Sequence, residues 1–350
     1  MIKPIKITLL LIIGLLTIVF ITASSAAIAR PTIVIKNVHE FYQAVAQANK
    51  SSRGMIILVQ DGHYNLPHRV VLSRENTDIS SVSDNPDDVV FIGKGMKKRP
   101  STEILFDIQA SNISLRGITI GESANHLIQV RAEDNVDNFS LSNCVLRDAY
   151  EQLLKVSGGK HPQHPHSDNG LVENCMFEYT AGVGPQYYIG GIDAHRIRNW
   201  RIINNVFRYI ASPSDHIAEH AIHIWNDSAD NSVIGNLIIN SDRGIGFGMG
   251  DKALQNSGGI IANNVILHSD KTHPFADTGI ILESSPNTVV ADNTILLANG
   301  YPNAIEYRFS RTTAVVIEGN ITNKAIKARN GGSATLLNNK LIRKTTTSLF

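Results

Sequence analysis

Asp193 and His195 alternate in the segment Gly191-Ile-Asp-Ala-His195, and His223 and Trp225 hold the matching places in Ala221-Ile-His-Ile-Trp225. A third segment of the same form, Leu153-Leu-Lys-Val-Ser157, supplies Lys155. A carboxylate, two imidazoles and an ammonium in matched positions are the parts needed for proton transfer beside an anionic group. A carboxylate flanked by Lys and His stays ionised and is expected to raise the His toward physiological pH. Trp225 offers an apolar face for a sugar ring. Arg131, Arg243, Glu283, Tyr187 and Tyr188 are the further candidate binding residues.

These residues can meet only if the segments lie side by side, and an internal repeat says that they do. Cys144, Cys175, Asn205, Asn236, Asn264, Asn293, Asn320 and Asn339 each sit in a short apolar segment of one pattern, at intervals of 31, 30, 31, 28, 29, 27 and 19 residues. Between them runs a second strand of alternating apolar and polar positions, the β period. It recurs as Leu127–Arg131, Leu153–Ser157, Gly191–His195, Ala221–Trp225, Gly244–Gly248, Gly279–Glu283, Ala304–Arg308 and Ala325–Arg329. No helical pattern intervenes, which excludes βαβ crossovers. Short strands repeating about every 20 to 31 residues predict an all-β chain, a single right-handed parallel β-helix. The Asn column reads as structural: Asn tolerates left-handed dihedrals at a bend, and stacked amides can bond one another.

With apolar positions inward, one outward column runs Gln129, Lys155, Asp193, His223, Gly246, Ile281, Glu306, Lys327, and the next runs Arg131, Ser157, His195, Trp225, Gly248, Glu283, Arg308, Arg329. Lys155, Asp193 and His223 then stand about 4.8 Å apart in one row. A third column of small residues (Gly191, Ala221, Gly244, Gly279, Ala304 and Ala325) is expected to form a smooth shelf beside them. Long loops at Gly158–Asn169, Gly182–Gly190 and Ser212–His220 gather around the same coils and predict binding walls.

The ends and composition set the frame. Lys3 and Lys6, an uncharged run from Leu9 to Ile21 and Ala27-Ile-Ala29 read as a signal peptide over residues 1–29, with the β-helix domain over 30–350. The run is short for a bilayer span of about 20 residues, so a periplasmic or secreted location is expected, with no membrane span in the mature protein. Asn37 and Glu40 resemble a capping box ahead of Val38, Phe41, Val45 and Ala48, an N-terminal helix that would plug the first coil. A net charge of +1 gives no field for nucleic acid. Cys144 and Cys175 are near enough for a disulfide, but parallel stacking strains that bridge and buried thiols are preferred. Two His groups, His161, His164 and His166 with Asp168, and His216, His220 and His223, lack a recognised ligand spacing, so no metal and no other cofactor is expected.

From Val38 onward the chain resembles the right-handed parallel β-helix superfamily that includes pectate lyases and uronate-polysaccharide enzymes. Gly191-Ile-Asp-Ala-His195 looks like the G-I-D-P-H-D segment of bacterial mannuronan C5-epimerases, with Asn205, His220-Ala-Ile222 and Gly244-Ile245 in similar register. The resemblance implies that Asp193 and His195 are active-site residues and that His195 abstracts the proton. Ala194 and Arg196 depart from the pattern, and an Arg expected near Asn226 is missing, so Arg131, Lys155 or Arg243 must neutralise the substrate carboxylate. The expected function is C5-proton abstraction from a uronate of an acidic polysaccharide, by lyase or epimerase chemistry. His223 or a Tyr would donate the proton. The alternative is a non-catalytic polysaccharide binder or surface structural protein.

Overall fold

The computed structural model describes residues 29–97, 103–159, 163–214 and 216–342. The apolar N-terminal run, His161 and the residues after Ile342 lie outside that description. Nearly every described element is a short strand, and the strands fall into sheets of 12, 10, 11 and 4 members. The order within each sheet follows the coils, and neighbours pair in parallel. Ile128, Leu154, Ile192, Ile222, Ile245, Ile280 and Ile305 pair in sequence along the ten-stranded sheet, and all are fully buried. Each coil thus adds one apolar layer to a continuous core, which is how a chain of this length buries its surface. This is a parallel β-helix.

The Asn column is a hydrogen-bonded ladder. The side-chain amide of Asn205 donates to Asn236 Oδ1 at 3.0 Å, Asn236 to Asn264 at 3.0 Å, Asn264 to Asn293 at 2.9 Å and Asn293 to Asn320 at 2.9 Å. Each second amide proton goes to a strand carbonyl, as from Asn264 to Val233 O. The backbone N–H of each Asn also reaches the next Oδ1. The left-handed bend belongs not to these residues but to the one before: Asn143, Asn174, Asn204, Asn263, Asp292 and Asn338 all have φ between 51° and 57°. Gly235 and Gly319 take the same place at φ 70° and 65°. That bend turns the ladder residue inward, where burial obliges it to satisfy every polar atom.

Cys144 and Cys175 continue the column as free, buried thiols. Cys144 N–H points to Cys175 Sγ, and Cys175 N–H donates to Asn205 Oδ1. At the N-terminal end, helix α1 (Val38–Ala48) starts on Asn37, whose side chain accepts the Glu40 N–H, while the Glu40 carboxylate accepts the Lys36 N–H. Phe41, Ala44, Val45 and Ala48 are its buried face, with Phe41 against Phe91 at 4.8 Å.

The small-residue column corrects the sequence reading. A side chain at Gly191 would meet Phe207, one at Gly244 would meet Ile266, and one at Gly279 would meet Ile295, all core residues. Ala221 and Ala304 are fully buried. From Gly191 to Ala304 the strip packs inward against core residues of the neighbouring sheet and is not a surface shelf; only Ala325, in the last coil, is exposed.

Candidate functional site

The outward columns are in the expected register. Lys155 pairs with Asp193, Asp193 with His223, and His195 with Trp225. Ala194 and Ile224 point into the core and lock the two strands, Gly190–His195 and His220–Trp225, so that the intervening residues face out.

Asp193 is the hub. Lys155 Nζ bonds its Oδ2, and Trp225 Nε1 donates to Oδ1 at 2.8 Å. His195 Nε2 lies 2.9 Å from Lys155 Nζ and 3.6 Å from Asp193 Oδ1, and its Nδ1 faces the Asn226 side chain at 3.2 Å. The His195 and Trp225 rings are 4.3 Å apart. Burial alone would raise the Asp193 carboxyl, but Lys155, His195 and His223 together hold it well below the usual range. His195 moves opposite to the expectation. Burial, helped by Lys155, outweighs the pull of Asp193 and lowers it, so the ring is neutral near pH 7.

His223 lies deeper, 3% exposed, with Nδ1 3.4 Å from Glu219 and 4.0 Å from Asp193, and Nε2 3.1 Å from Gly248 O. Burial lowers it, but Glu219 and Asp193 prevail and its pKa is raised. His220 stacks beside it at 4.5 Å and is pushed well down by burial, His223 and Arg243. These two rings open onto a cleft of about 220 Å³ bordered by Glu219, Arg243, Asp277 and Glu283.

The remaining candidates divide. Tyr188 is partly exposed, and burial followed by the Asp193 charge raises its phenol. Tyr187 lies against His216 at 4.9 Å. Arg243 lines the cleft, and among the described residues its ion-pair contact is a long one, 3.9 Å to Asp277. Arg131 is taken up by the fully buried Asp107, through Nε at 2.6 Å and Nη2 at 2.9 Å. Glu283 binds Arg308 and the Gly250 N–H. The His-rich loop is tied down: His166 Nε2 contacts Asp227 Oδ2 at 3.0 Å, and Arg196 reaches the same carboxylate at 3.1 Å. Sequence reasoning passed over Glu219 and Asp107. Glu219 immediately precedes the strand His220–Trp225 and falls in no repeated column, so the repeat did not single it out.

No family model matches the chain, and no curated protein matches it in sequence. Solved structures do match. An alginate lyase from Paenibacillus sp. str. FPU-7 is similar at TM-score 0.62 and 12% identity, covering 88% of this chain and 99% of that one. PfbA, a surface adhesin of Streptococcus pneumoniae, is similar at TM-score 0.61 and 14% identity, covering 89% and 91%. The N-terminal fragment of bacteriophage Phi29 gene product 12 follows at TM-score 0.53 and 14% identity, covering 86% and 63%. The likeness is one of fold. Among the described residues no helix is long and apolar enough to cross a membrane.

Proposed function

We propose that this protein is an exported enzyme acting on a uronate-containing polysaccharide by abstraction of the C5 proton, as a lyase or a C5-epimerase. The observation that carries the reading is the Lys155–Asp193–His195 row beside Trp225. The C5 proton is weakly acidic, so its removal needs a base and a cation on the adjoining carboxylate. His195, kept neutral by burial, is the base, and it takes the proton on Nε2. Lys155, at that nitrogen in the free protein, turns to the substrate carboxylate, which frees the Nε2 lone pair and balances the charge that develops on the substrate; Arg243 is the second cation. Asp193 orients Lys155, and Trp225 holds Asp193 while offering its face to the sugar. His223 is 3% exposed and turned toward Glu219 and Gly248 O, so the proton donor is assigned to Tyr188, which is exposed and within reach of the Asp193 charge. Donation to the opposite face of C5 gives the epimer. Breakage of the C4–O bond instead gives an unsaturated uronate, with the departing oxygen taking the proton.

On this reading α1 covers the N-terminal end of a single right-handed domain, and residues 1–29 direct export. Incubation with alginate, pectate and glycosaminoglycans tests it, followed by the absorbance of unsaturated uronate and by proton NMR. Turnover is expected on at least one polymer and is expected to vanish in His195→Ala; full activity in that variant removes the assigned base. A second reading, a non-catalytic polysaccharide binder, is favoured by the pairing of Arg131 with Asp107, Arg308 with Glu283 and Arg329 with Glu306. It predicts glycan retention with no new NMR signals. The alginate lyase among the fold neighbours accords with the first reading and the adhesin with the second.

A further inference from the structure

Glu219, His220 and His223 form a cluster that the proton-transfer scheme does not use. Their ligating atoms all lie within 4.8 Å of one another. His220 is 5% exposed, yet neither ring nitrogen has a hydrogen-bond partner among the described residues. A buried imidazole always carries at least one N–H or lone pair that wants a partner, so an orphan of this kind calls for an explanation. The ring lies over Gly246, where a Cβ would fall 2.8 Å from His220 Nε2. Glycine at that outward position therefore makes the room the ring occupies.

We propose that Glu219, His220 and His223 bind a transition-metal ion of the zinc class, with an open coordination position facing the cleft. His223 is already oriented for this. Its Nε2 can donate to Gly248 O while its Nδ1 faces Glu219; an ion at that place displaces the Nδ1 proton that Glu219 holds, and the backbone carbonyl then fixes the tautomer of the ligating histidine. The separations fit. Ligands at about 2.1 Å in tetrahedral geometry stand about 3.4 Å apart, and His223 Nδ1 and His220 Nδ1 lie 3.4 and 3.9 Å from Glu219 Oε2. Two imidazoles and one carboxylate select zinc, cobalt or nickel over calcium or magnesium, which take oxygen ligands. Arg243, Asp277 and Gly248 border the open side. The inference stands apart from the polysaccharide reading, since it is read by binding alone.

The test uses the full chain stripped with chelator, titrated calorimetrically with Zn²⁺ and by visible absorbance with Co²⁺. One ion per chain is expected. Loss of even an outer-shell partner weakens metal sites about 10- to 100-fold, so Glu219→Gln and His220→Gln are each expected to weaken binding by at least about tenfold. His166→Ala, in the His-rich loop, is expected to leave it unchanged. Circular dichroism monitors folding; Glu219 lies at the mouth of the cleft, so its variant carries the test if His220→Gln does not fold. Absence of stoichiometric binding overturns the proposal, as does binding that survives Glu219→Gln or that is lost in His166→Ala.

Discussion

At the scale of the residue, the site depends on one buried carboxylate. Asp193 holds Lys155 and the Trp225 indole at once, and its side chain is 5% exposed. Asp193→Asn leaves the Lys155 ammonium facing a neutral amide, and breaking one side of such a pair costs about 3 kcal/mol or more. Urea denaturation should show that loss, together with loss of turnover. Trp225→Phe should be milder: the ring face persists, the hydrogen bond to Oδ1 goes, and turnover falls with little change in stability. Much of this row was legible in the sequence, because alternation on a strand fixes which side chains share a face and the repeat fixes which coils adjoin. The direction of the His195 shift was not. It depends on how deeply the ring is buried beside Lys155 and Trp225, and no pattern of residues records burial depth. His220 was noted in the sequence without its neighbour Glu219 or its unpartnered ring, since it reaches its place by lying over Gly246 of the following coil.

At the scale of the element, the ladder sets the register that the row requires. Asn264 accepts from Asn236 twice and donates to Asn293 and Val233. Asn264→Ala strands the Asn236 donors and the Val233 carbonyl, and each buried orphan costs about 1–3 kcal/mol. A fall in melting temperature is the measurement, and near-native stability would refute the structural reading of the column. Cys175→Asn is the converse. Its carbonyl oxygen can accept the Cys144 N–H, and its amide can reach Asn205, so the ladder lengthens by one rung and the melting temperature should hold or rise. The column itself was readable from sequence, but its geometry was misplaced by one residue. A propensity for left-handed dihedrals is shared by consecutive Asn residues such as Asn204 and Asn205, and only the backbone shows which of the two makes the bend.

At the scale of the whole molecule, buried histidines govern the response to acid. Burial lowers His126, His195, His220 and His268 below the ordinary value, His126 to about 3. Between an unfolded pKa of about 6.5 and those folded values the unfolded chain binds more protons, so stability rises with pH and is lost as pH falls. His126 alone contributes a slope of up to about 1.4 kcal/mol per pH unit in that window. His223, raised by Glu219 and Asp193 against its burial, works the other way. Asp107 and Asp193, lowered by their cationic partners despite burial, add a second loss only below about pH 3.9. Urea midpoints measured from pH 7 to 4 should fall steadily and fall less steeply in His126→Gln; a flat profile for the unmodified protein would contradict the burial of these rings.

The parallel pairing of every coil with the next has a mechanical corollary. Hydrogen bonds between coils run along the axis of the solenoid, so tension on its two ends loads them one layer at a time, as a zip opens, and not all together in shear. Each layer released pays out the 27 to 31 residues that separate most rungs of the ladder. A molecule tethered at one end in a moving fluid would fray from its extremities, and the coils bearing Lys155, Asp193 and His195, midway along, would be among the last to part.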